Sequence, residues 1–189
     1  MKLLIYGAGD FSSTVAALAR VCGHEVVGLI DDTGRNEQAL GRFEQVQLSH
    51  PARDHGVALA IGYNNLPARW AAWERVQAAG YACPPLIHPR AYVAEEAAVG
   101  AGCFVMAGAH VDVHARLGAA CVLWPLACIN HDTQVGANSF ISPSATLCGF
   151  VQLGEHSFVG AGAVVVDRVA LPSGSFVKAA ALVKRTHPT

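Results

Sequence analysis

The sequence predicts an α/β domain over residues 1–83 followed by a parallel β-helix over residues 84–189. Two observations support this division. The first part alternates short apolar strands with helical segments, and the second repeats aliphatic residues every six positions without a break. The chain is 52% hydrophobic and 14% charged, so it can bury a sizeable core and is not expected to be disordered. The stretch Cys83-Pro84-Pro85 marks the boundary.

The N-terminal part predicts three buried strands and two helices. The strands are residues 2–7 (KLLIYG), 25–32 (EVVGLIDD) and 57–65 (VALAIGYNN), and the helices are residues 12–23 and 67–80. Both helical segments end at a glycine, as helices commonly do. Strand–helix–strand order implies a parallel sheet with right-handed crossovers. Because about 83 residues are too few for a six-stranded dinucleotide domain, we predict a half-Rossmann domain that holds one nucleotide.

The C-terminal part has a period of six residues. Every sixth residue from Ile87 to Val177 is Ile, Leu or Val, and the residue four positions after each is small or β-branched. This period fits neither an α-helix nor a simple sandwich. It fits a parallel β-helix, in which each hexad forms one flat side and a turn and neighbouring coils bury each other's apolar edge.

Two adjacent polar residues, His131 and Asp132, stand out within this repeat. Ile129 and Val135 keep the six-residue register on either side, so the pair occupies positions that are free to vary. A carboxylate beside a histidine can fix its tautomer and stabilise the imidazolium. A solvated histidine without a catalytic role is the alternative, because single histidines at such corners are more often solvated than catalytic.

The segments 129–136 (INHDTQVG) and 144–149 (SATLCG) resemble the active-site region of the hexapeptide-repeat acetyltransferases. Within these, the chain is similar to the sialic-acid O-acetyltransferases and to the N-acetyltransferases of nucleotide-linked amino sugars, such as the bacillosamine and perosamine enzymes. The resemblance covers residues 3–178. It implies a left-handed coil of 18 residues per turn, about five coils, and a homotrimer with acetyl-CoA in a groove between subunits.

The sequence departs from this family at two places. Phe140 stands where several relatives carry a second histidine, so we assign no thioester contact there. Residues 177–181 (VKAAA) replace the usual C-terminal Gly-x-Pro-Ala, so we carry over no contacts to the distal part of coenzyme A.

With 18 residues per coil, residue n lies against residues n−18 and n+18, about one strand spacing (~4.8 Å) away. His131 then faces Gly149, and we expect the missing side chain to leave room for a ligand over the imidazole. His131 is predicted as general base, Asp132 as its orienting partner, and the Gly149 N–H as oxyanion donor. The predicted contacts to coenzyme A are Gly149, Ala161 and Gly162.

The glycine-rich turn Gly7-Ala8-Gly9 follows the first strand and opens a helix, where backbone N–H groups can approach a phosphate. Ser12 stands in place of the third glycine, so the fingerprint is incomplete. Asp31 and Asp32 end the next strand, where a Rossmann fold holds a ribose hydroxyl. The predicted nucleotide-binding residues, several carried over from the resemblance, are Gly7, Gly9, Asp10, Phe11, Ser12, Asp31, Asp32, Gly62, Tyr63, Asn64, Asn65 and Arg69. Arg69 would pair with phosphate, with a surface helix arginine as the alternative.

These inferences predict an acetyl-CoA-dependent N-acetyltransferase acting on a nucleotide-linked amino sugar in bacterial surface-glycan synthesis, such as that of lipopolysaccharide or O-antigen. We expect a cytoplasmic homotrimer without a metal. A net charge of −1 gives no electrostatic reason to expect nucleic acid or a membrane as partner. The six cysteines lack metal-ligand spacing and are expected to be reduced.

Three other functions remain open. O-acetylation of a sugar hydroxyl needs the same His–Asp pair. A carbonic-anhydrase-like zinc β-helix, in which the histidines come from two chains of a trimer, would use His110, His114 and His131 as ligands. A nucleotide-sensing scaffold would bind nucleotide without acetyl-CoA. Several other histidines, among them His187, are expected at the surface or in loops.

Overall fold

The computed structural model describes residues 1–184 and divides the chain into two compact units, with the division in the sequence after Leu86. Residues 185–189, which include His187 and the end of the predicted second domain, lie outside the described part. Within residues 1–184 no helix is both long and apolar enough to span a bilayer.

The N-terminal unit is a three-stranded parallel sheet with helices, in the strand order β2-β1-β3. Its elements are β1 (Lys2–Tyr6), α1 (Asp10–Val21), β2 (Glu25–Ile30), α2 (Phe43–Ser49), β3 (His55–Leu59), a short 3₁₀ helix (Tyr63–Asn65) and α3 (Leu66–Ala78). Each predicted strand and helix has a counterpart here. Helix α2 was not predicted, and the third strand ends at Leu59 because the chain then turns into the 3₁₀ helix.

The central strand β1 fixes the position of the glycine turn. Its residues Leu3, Leu4 and Ile5 are fully buried, as expected for a strand with parallel neighbours on both sides. Directly after it, Gly7 adopts φ +116°, and a Cβ there would lie 2.6 Å from the Ala60 carbonyl oxygen. Only glycine fits this approach, so the turn places residues 7–9 beside the end of β3.

The C-terminal unit consists of two-residue strands arranged in three parallel sheets. The first sheet contains β4 (Leu86–Ile87), β7 (Phe104–Val105), β10 (Val122–Leu123), β13 (Phe140–Ile141), β16 (Phe158–Val159) and β19 (Phe176–Val177). The second contains β5 (Tyr92–Val93), β8 (His110–Val111), β11 (Cys128–Ile129), β14 (Thr146–Leu147), β17 (Val164–Val165) and β20 (Leu182–Val183). The third contains β6 (Ala98–Val99), β9 (Arg116–Leu117), β12 (Gln134–Val135), β15 (Gln152–Leu153) and β18 (Ala170–Leu171).

The register between coils is 18 residues, as the pairing of Ile129 with Val111 and with Leu147 shows. The second residue of each strand is the aliphatic member of the hexad and contributes to one continuous core. The predicted α/β unit followed by a parallel β-helix of about five coils is therefore confirmed.

The corners of the β-helix share one backbone feature that the sequence did not predict. Every sixth residue from Gly102 to Ala180 has a positive φ, between 56° and 75°. These residues lie in the left-handed region, which disfavours bulky side chains. Asp132 and Phe150 are both corner residues of this kind.

Candidate active site

The turn between β11 and β12 holds His131 in place through contacts to both neighbouring coils. The Asn130 side-chain amide donates to the Leu147 carbonyl over 3.0 Å, and the Asp132 N–H donates to the Val113 carbonyl over 3.0 Å. Asp132 tolerates its φ of 57° because Asp is one of the few residues that commonly adopts the left-handed conformation. The turn therefore presents His131 outward from a fixed backbone.

The His131 imidazole is bonded to the neighbouring carboxylate. Its Nδ1 lies 3.0 Å from Oδ2 of Asp132, and the two side chains are 47% and 36% exposed. Because a carboxylate is an acceptor, this contact favours the tautomer with the proton on Nδ1. The lone pair is then on Nε2, which is where a base that accepts a proton from a substrate needs it.

Gly149 lies directly against the imidazole. A Cβ at this position would lie 2.7 Å from both Cε1 and Nε2 of His131. The space left by the missing side chain is therefore filled by the ring itself, and the expectation that it would hold a ligand is wrong. The Gly149 carbonyl accepts from the Arg168 N–H over 2.9 Å, whereas its own N–H donates no hydrogen bond within residues 1–184.

Two further residues at this corner were not predicted from the sequence. The Phe150 ring lies at 87° to the His131 ring, with 5.2 Å between centroids, and the Arg168 guanidinium carbon lies 4.1 Å from the Phe150 centroid. The signal was present in the register, because residues 132, 150 and 168 are spaced by 18. It was missed because neither residue type by itself suggests catalysis.

The N-terminal unit contains an open pocket of about 1060 Å³. The glycine turn, the end of β2, the loop at residues 33–38 and the outer face of α3 line it. Gly7, Gly9, Asp31 and Asp32 thus meet at one site, as the sequence predicts. A Cβ at Gly9 would have no atom within 4 Å, so this side of the turn is open.

Comparisons with known proteins agree with both units. The PglD N-terminal domain family matches residues 2–73, and the bacterial transferase hexapeptide (six repeats) family matches residues 132–167. The acetyltransferase domain of PglB from Neisseria gonorrhoeae FA1090 is 30% identical, with a TM-score of 0.90 over 99% of this chain and 93% of that chain. The chain belongs to the hexapeptide-repeat acetyltransferases.

Two solved structures with ligands are also similar to this acetyltransferase. The PglB domain in complex with acetyl coenzyme A is 29% identical, with a TM-score of 0.86 over 96% of this chain and 92% of that chain. A mutant of perosamine N-acetyltransferase from Caulobacter crescentus, in complex with CoA and GDP-perosamine, is 26% identical. Its TM-score is 0.78, covering 95% of this chain and 94% of that chain. No curated protein matches the sequence significantly.

Asp31 of this acetyltransferase anchors the pocket loop. Its Oδ1 accepts from the Thr33 hydroxyl over 2.7 Å and the Thr33 N–H over 2.9 Å, and its Oδ2 accepts from the N–H groups of Arg35 and Asn36, each over 2.9 Å. The Thr33 hydroxyl, followed by the Asn36 N–H, lowers the pKa of Asp31 to about 2. A ribose contact at Asp31 would require these bonds to be broken, because each oxygen already accepts two.

Asp32 is bonded to several parts of the same unit. It accepts from the Tyr6 hydroxyl, from the Phe43 N–H over 2.9 Å, and from the Arg75 guanidinium. Arg75 also donates to Glu44 over 2.8 Å and lies over the stacked rings of Tyr6 and Phe43. Sequence reasoning missed Arg75, although it lines the pocket, because an arginine on a helix is ordinarily a surface residue.

Arg69 differs from one of its two sequence-based alternatives. It is fully buried, and its Nε donates to the Ile61 carbonyl over 2.9 Å. The surface-arginine interpretation is therefore wrong, and a phosphate contact would require the side chain to leave its buried position. The burial of Arg69 could not be predicted from the sequence, because it depends on tertiary packing and the helix pattern does not show which side of α3 faces inward.

The other predicted nucleotide-binding residues lie outside the lining of the pocket. Ser12 is buried, with its hydroxyl donating to the Gly9 carbonyl over 2.7 Å, and Asn65 caps α3 by accepting from the Ala68 N–H over 3.0 Å. Asp10 is in the first turn of α1, where its negative charge interacts favourably with the helix dipole. Phe11 is half-buried in α1, and the remaining residues are Gly62, Tyr63 and Asn64, in and before the 3₁₀ helix.

The predicted coenzyme A residues Ala161 and Gly162 belong to a different corner of the coil, between β16 and β17. Both are exposed, and the Gly162 N–H donates to the Pro143 carbonyl over 3.0 Å. The structure of one chain does not bring this corner together with the His131 corner. Their contact to coenzyme A remains a prediction.

The cysteines near this corner are poorly suited to act as nucleophiles, and the histidines can be compared only within one chain. Burial, followed by the charge of Asp112, raises the pKa of Cys128, and burial, followed by Asp167, raises the pKa of Cys148. Both side chains are therefore poor nucleophiles. Within residues 1–184 no group of three or more His, Cys, Asp and Glu side chains could hold a metal, so His110, His114 and His131 do not form a ligand set in one chain.

Proposed function

We propose that this acetyltransferase transfers the acetyl group of acetyl-CoA to the amine of a nucleotide-linked amino sugar in the synthesis of a bacterial surface glycan. The similar solved structures support this choice, because they hold acetyl coenzyme A in one case and CoA with GDP-perosamine in the other. The observation that carries the proposal is the His131 imidazole, held by Asp132 through Nδ1 with Nε2 left to act as base.

In the proposed reaction the sugar amine attacks the thioester carbonyl directly. The C–N bond forms while His131 Nε2 takes the amine proton. The C–S bond then breaks with its electron pair going to sulfur, and the sulfur takes the proton back from His131, so that coenzyme A leaves as the thiol. The Gly149 N–H, which makes no other hydrogen bond within residues 1–184, donates to the oxygen that becomes negative in the transition state. No covalent enzyme intermediate is required, because a thioester is already activated. This agrees with the raised pKa of Cys128 and of Cys148.

The N-terminal pocket is the proposed site of the nucleotide. Its side at Gly9 is open, since a Cβ there would meet no atom within 4 Å. Asp31 fixes the loop that forms one wall, so the pocket keeps its shape before the ligand binds. We propose that the active enzyme is a homotrimer with acetyl-CoA between subunits, following the resemblance to the family.

The test is a substrate panel. Amino sugars linked to UDP, dTDP or GDP are incubated with acetyl-CoA, and products are identified by mass and by stability to mild base. The proposal expects one acetyl group added as a base-stable amide to one of these nucleotide sugars. The matched control carries a hydroxyl in place of the amine and is expected to stay unmodified. A base-labile ester on the control would favour O-acetylation, and nucleotide binding without acetyl-CoA binding would favour a sensing scaffold.

A further inference from the structure

We propose that Phe150 is a positioning residue for the base His131, and that Arg168 in turn holds Phe150. This inference rests on the proposed function, since it assigns a role around the same imidazole. Phe150 would act on the orientation of the ring and would have no contact with the reacting atoms.

The imidazole is confined from three directions. Asp132 bonds its Nδ1 over 3.0 Å, Gly149 lies against Cε1 and Nε2, and the Phe150 ring meets it at 87°. His131 is 47% exposed, so solvent on the remaining side does not fix the ring. One hydrogen bond at Nδ1 still allows the ring to pivot about that contact. The Phe150 wall removes this freedom and keeps Nε2 in one place.

Phe150 is itself held by the next coil. Its N–H donates to the His131 carbonyl over 3.1 Å, and the Arg168 guanidinium lies over its ring at 4.1 Å. The Arg168 N–H donates to the Gly149 carbonyl over 2.9 Å. Asp132, Phe150 and Arg168 occupy equivalent corners of three successive coils, with Arg168 lying over the Phe150 ring and Phe150 contacting His131.

Phe150 occupies a corner position at which a bulky side chain costs stability. Its φ is 60°, a conformation that Asn, Asp and Gly adopt easily and bulky residues adopt with strain. The ring is also 39% exposed, so it buries less apolar surface than a core phenylalanine. Leu126 shares this conformation and is even more exposed, so what distinguishes Phe150 is the contact of its ring with His131.

The test is Phe150→Asn. Asparagine relieves the backbone strain at this corner, which offsets the loss of the ring contacts. We therefore expect a melting temperature within about 3 °C of the unchanged enzyme. We expect kcat to fall about tenfold with little change in KM for acetyl-CoA, because a loosened base is misplaced in the transition state. Phe150→Tyr keeps the ring and should retain kcat within about twofold of the unchanged enzyme, in keeping with an effect of orientation alone.

Leu126→Asn is the matched control, since Leu126 is another bulky apolar corner residue, with φ 63° and 63% exposed. The Leu126→Asn substitution relieves the same kind of backbone strain, but residue 126 does not contact His131, so this variant should retain kcat. Arg168→Gln should lower kcat less than Phe150→Asn does and add nothing to it in the double variant, because the guanidinium acts through the ring.

The outcomes separate the two proposals. If His131→Ala retains kcat, the proposed function fails. If His131→Ala abolishes turnover but Phe150→Asn retains kcat, only the positioning role is overturned. It is also overturned if Phe150→Tyr loses as much activity as Phe150→Asn, because the aromatic ring would then not be what matters.

Discussion

Replacing Gly149 with alanine tests the contact between the imidazole and the next coil. The new Cβ would lie 2.7 Å from Cε1 and Nε2 of His131, whereas ordinary van der Waals contact begins at 3.4 Å. The ring must therefore move by about 0.7 Å or more, the difference between these distances. Gly149 itself is not in the left-handed region, so the effect is steric and backbone strain does not contribute.

The displaced ring changes activity far more than stability. The clashing atoms belong to the end of a side chain that is 47% exposed, so we expect the free energy of unfolding to fall by no more than about 1 kcal/mol. A catalytic group misplaced by about 1 Å can cost roughly 10²-fold in rate, which corresponds to about 2.7 kcal/mol of activation free energy. We therefore predict that Gly149→Ala lowers kcat about 100-fold and leaves the fold intact.

The assay is steady-state release of coenzyme A at saturating substrates, combined with a thermal melt. Gly28→Ala is the matched control in the N-terminal unit, because the three atoms nearest to its Cβ would all belong to the Leu40 side chain, the first at 2.6 Å. The clash in the control is of similar size, so the free energy of unfolding should fall by a similar amount. The kcat of the control should stay unchanged. Normal kcat in Gly149→Ala would refute the reasoning, because the imidazole would then tolerate displacement.

Three further predictions concern the His–Asp pair, the pocket loop and the buried arginine. In Asp132→Asn the asparagine tolerates the same corner conformation but no longer favours the Nδ1–H tautomer of His131. The kcat should therefore fall about 10- to 100-fold, while the melting temperature stays unchanged. A kcat equal to that of the unchanged enzyme would contradict the pairing of His131 with Asp132. Asp31 has a lowered pKa in the folded state, so it stabilises the fold above its ordinary pKa of 3.8 and loses this contribution as pH falls toward about 2. The acid unfolding of Asp31→Asn should lack the pH-dependent contribution of Asp31 to stability. An acid unfolding profile identical to that of the unchanged enzyme would contradict this role of Asp31. Arg69→Met leaves the Ile61 carbonyl unpaired and should lower the free energy of unfolding by about 1–3 kcal/mol, while nucleotide affinity of the folded protein stays the same by calorimetry. If Arg69→Met kept full stability but bound the nucleotide more weakly, Arg69 would instead be assigned a contact with phosphate.

The β-helix could be predicted almost completely because its sequence signal is redundant. Each aliphatic position, such as Ile129, is repeated on every side of every coil, and the 18-residue register follows from three hexads per turn. The same register correctly placed Gly149 against His131. The occupant of the space was not predictable, because whether a ring folds over a glycine depends on its rotamer and on neighbours such as Phe150.

The N-terminal site was less predictable for a physical reason. The strand ends and the glycine turn follow from local pattern, and they do meet at one pocket. Whether a charged side chain faces a ligand or satisfies its own fold depends on tertiary contacts. Asp31 bonds the loop that follows it, and Arg69 packs inward, whereas Arg75, which attracted no notice in the sequence, lines the pocket.

The kcat of His131→Ala, measured with acetyl-CoA and the amino sugar nucleotide that the panel identifies, tests the central claim most directly. Removing the base should lower kcat by about 10²- to 10⁴-fold while KM for both substrates and the melting temperature stay close to the unchanged enzyme, because the imidazole is partly exposed and acts in the transition state. A His131→Ala enzyme that retains near-normal kcat would contradict the assignment of His131 as the base.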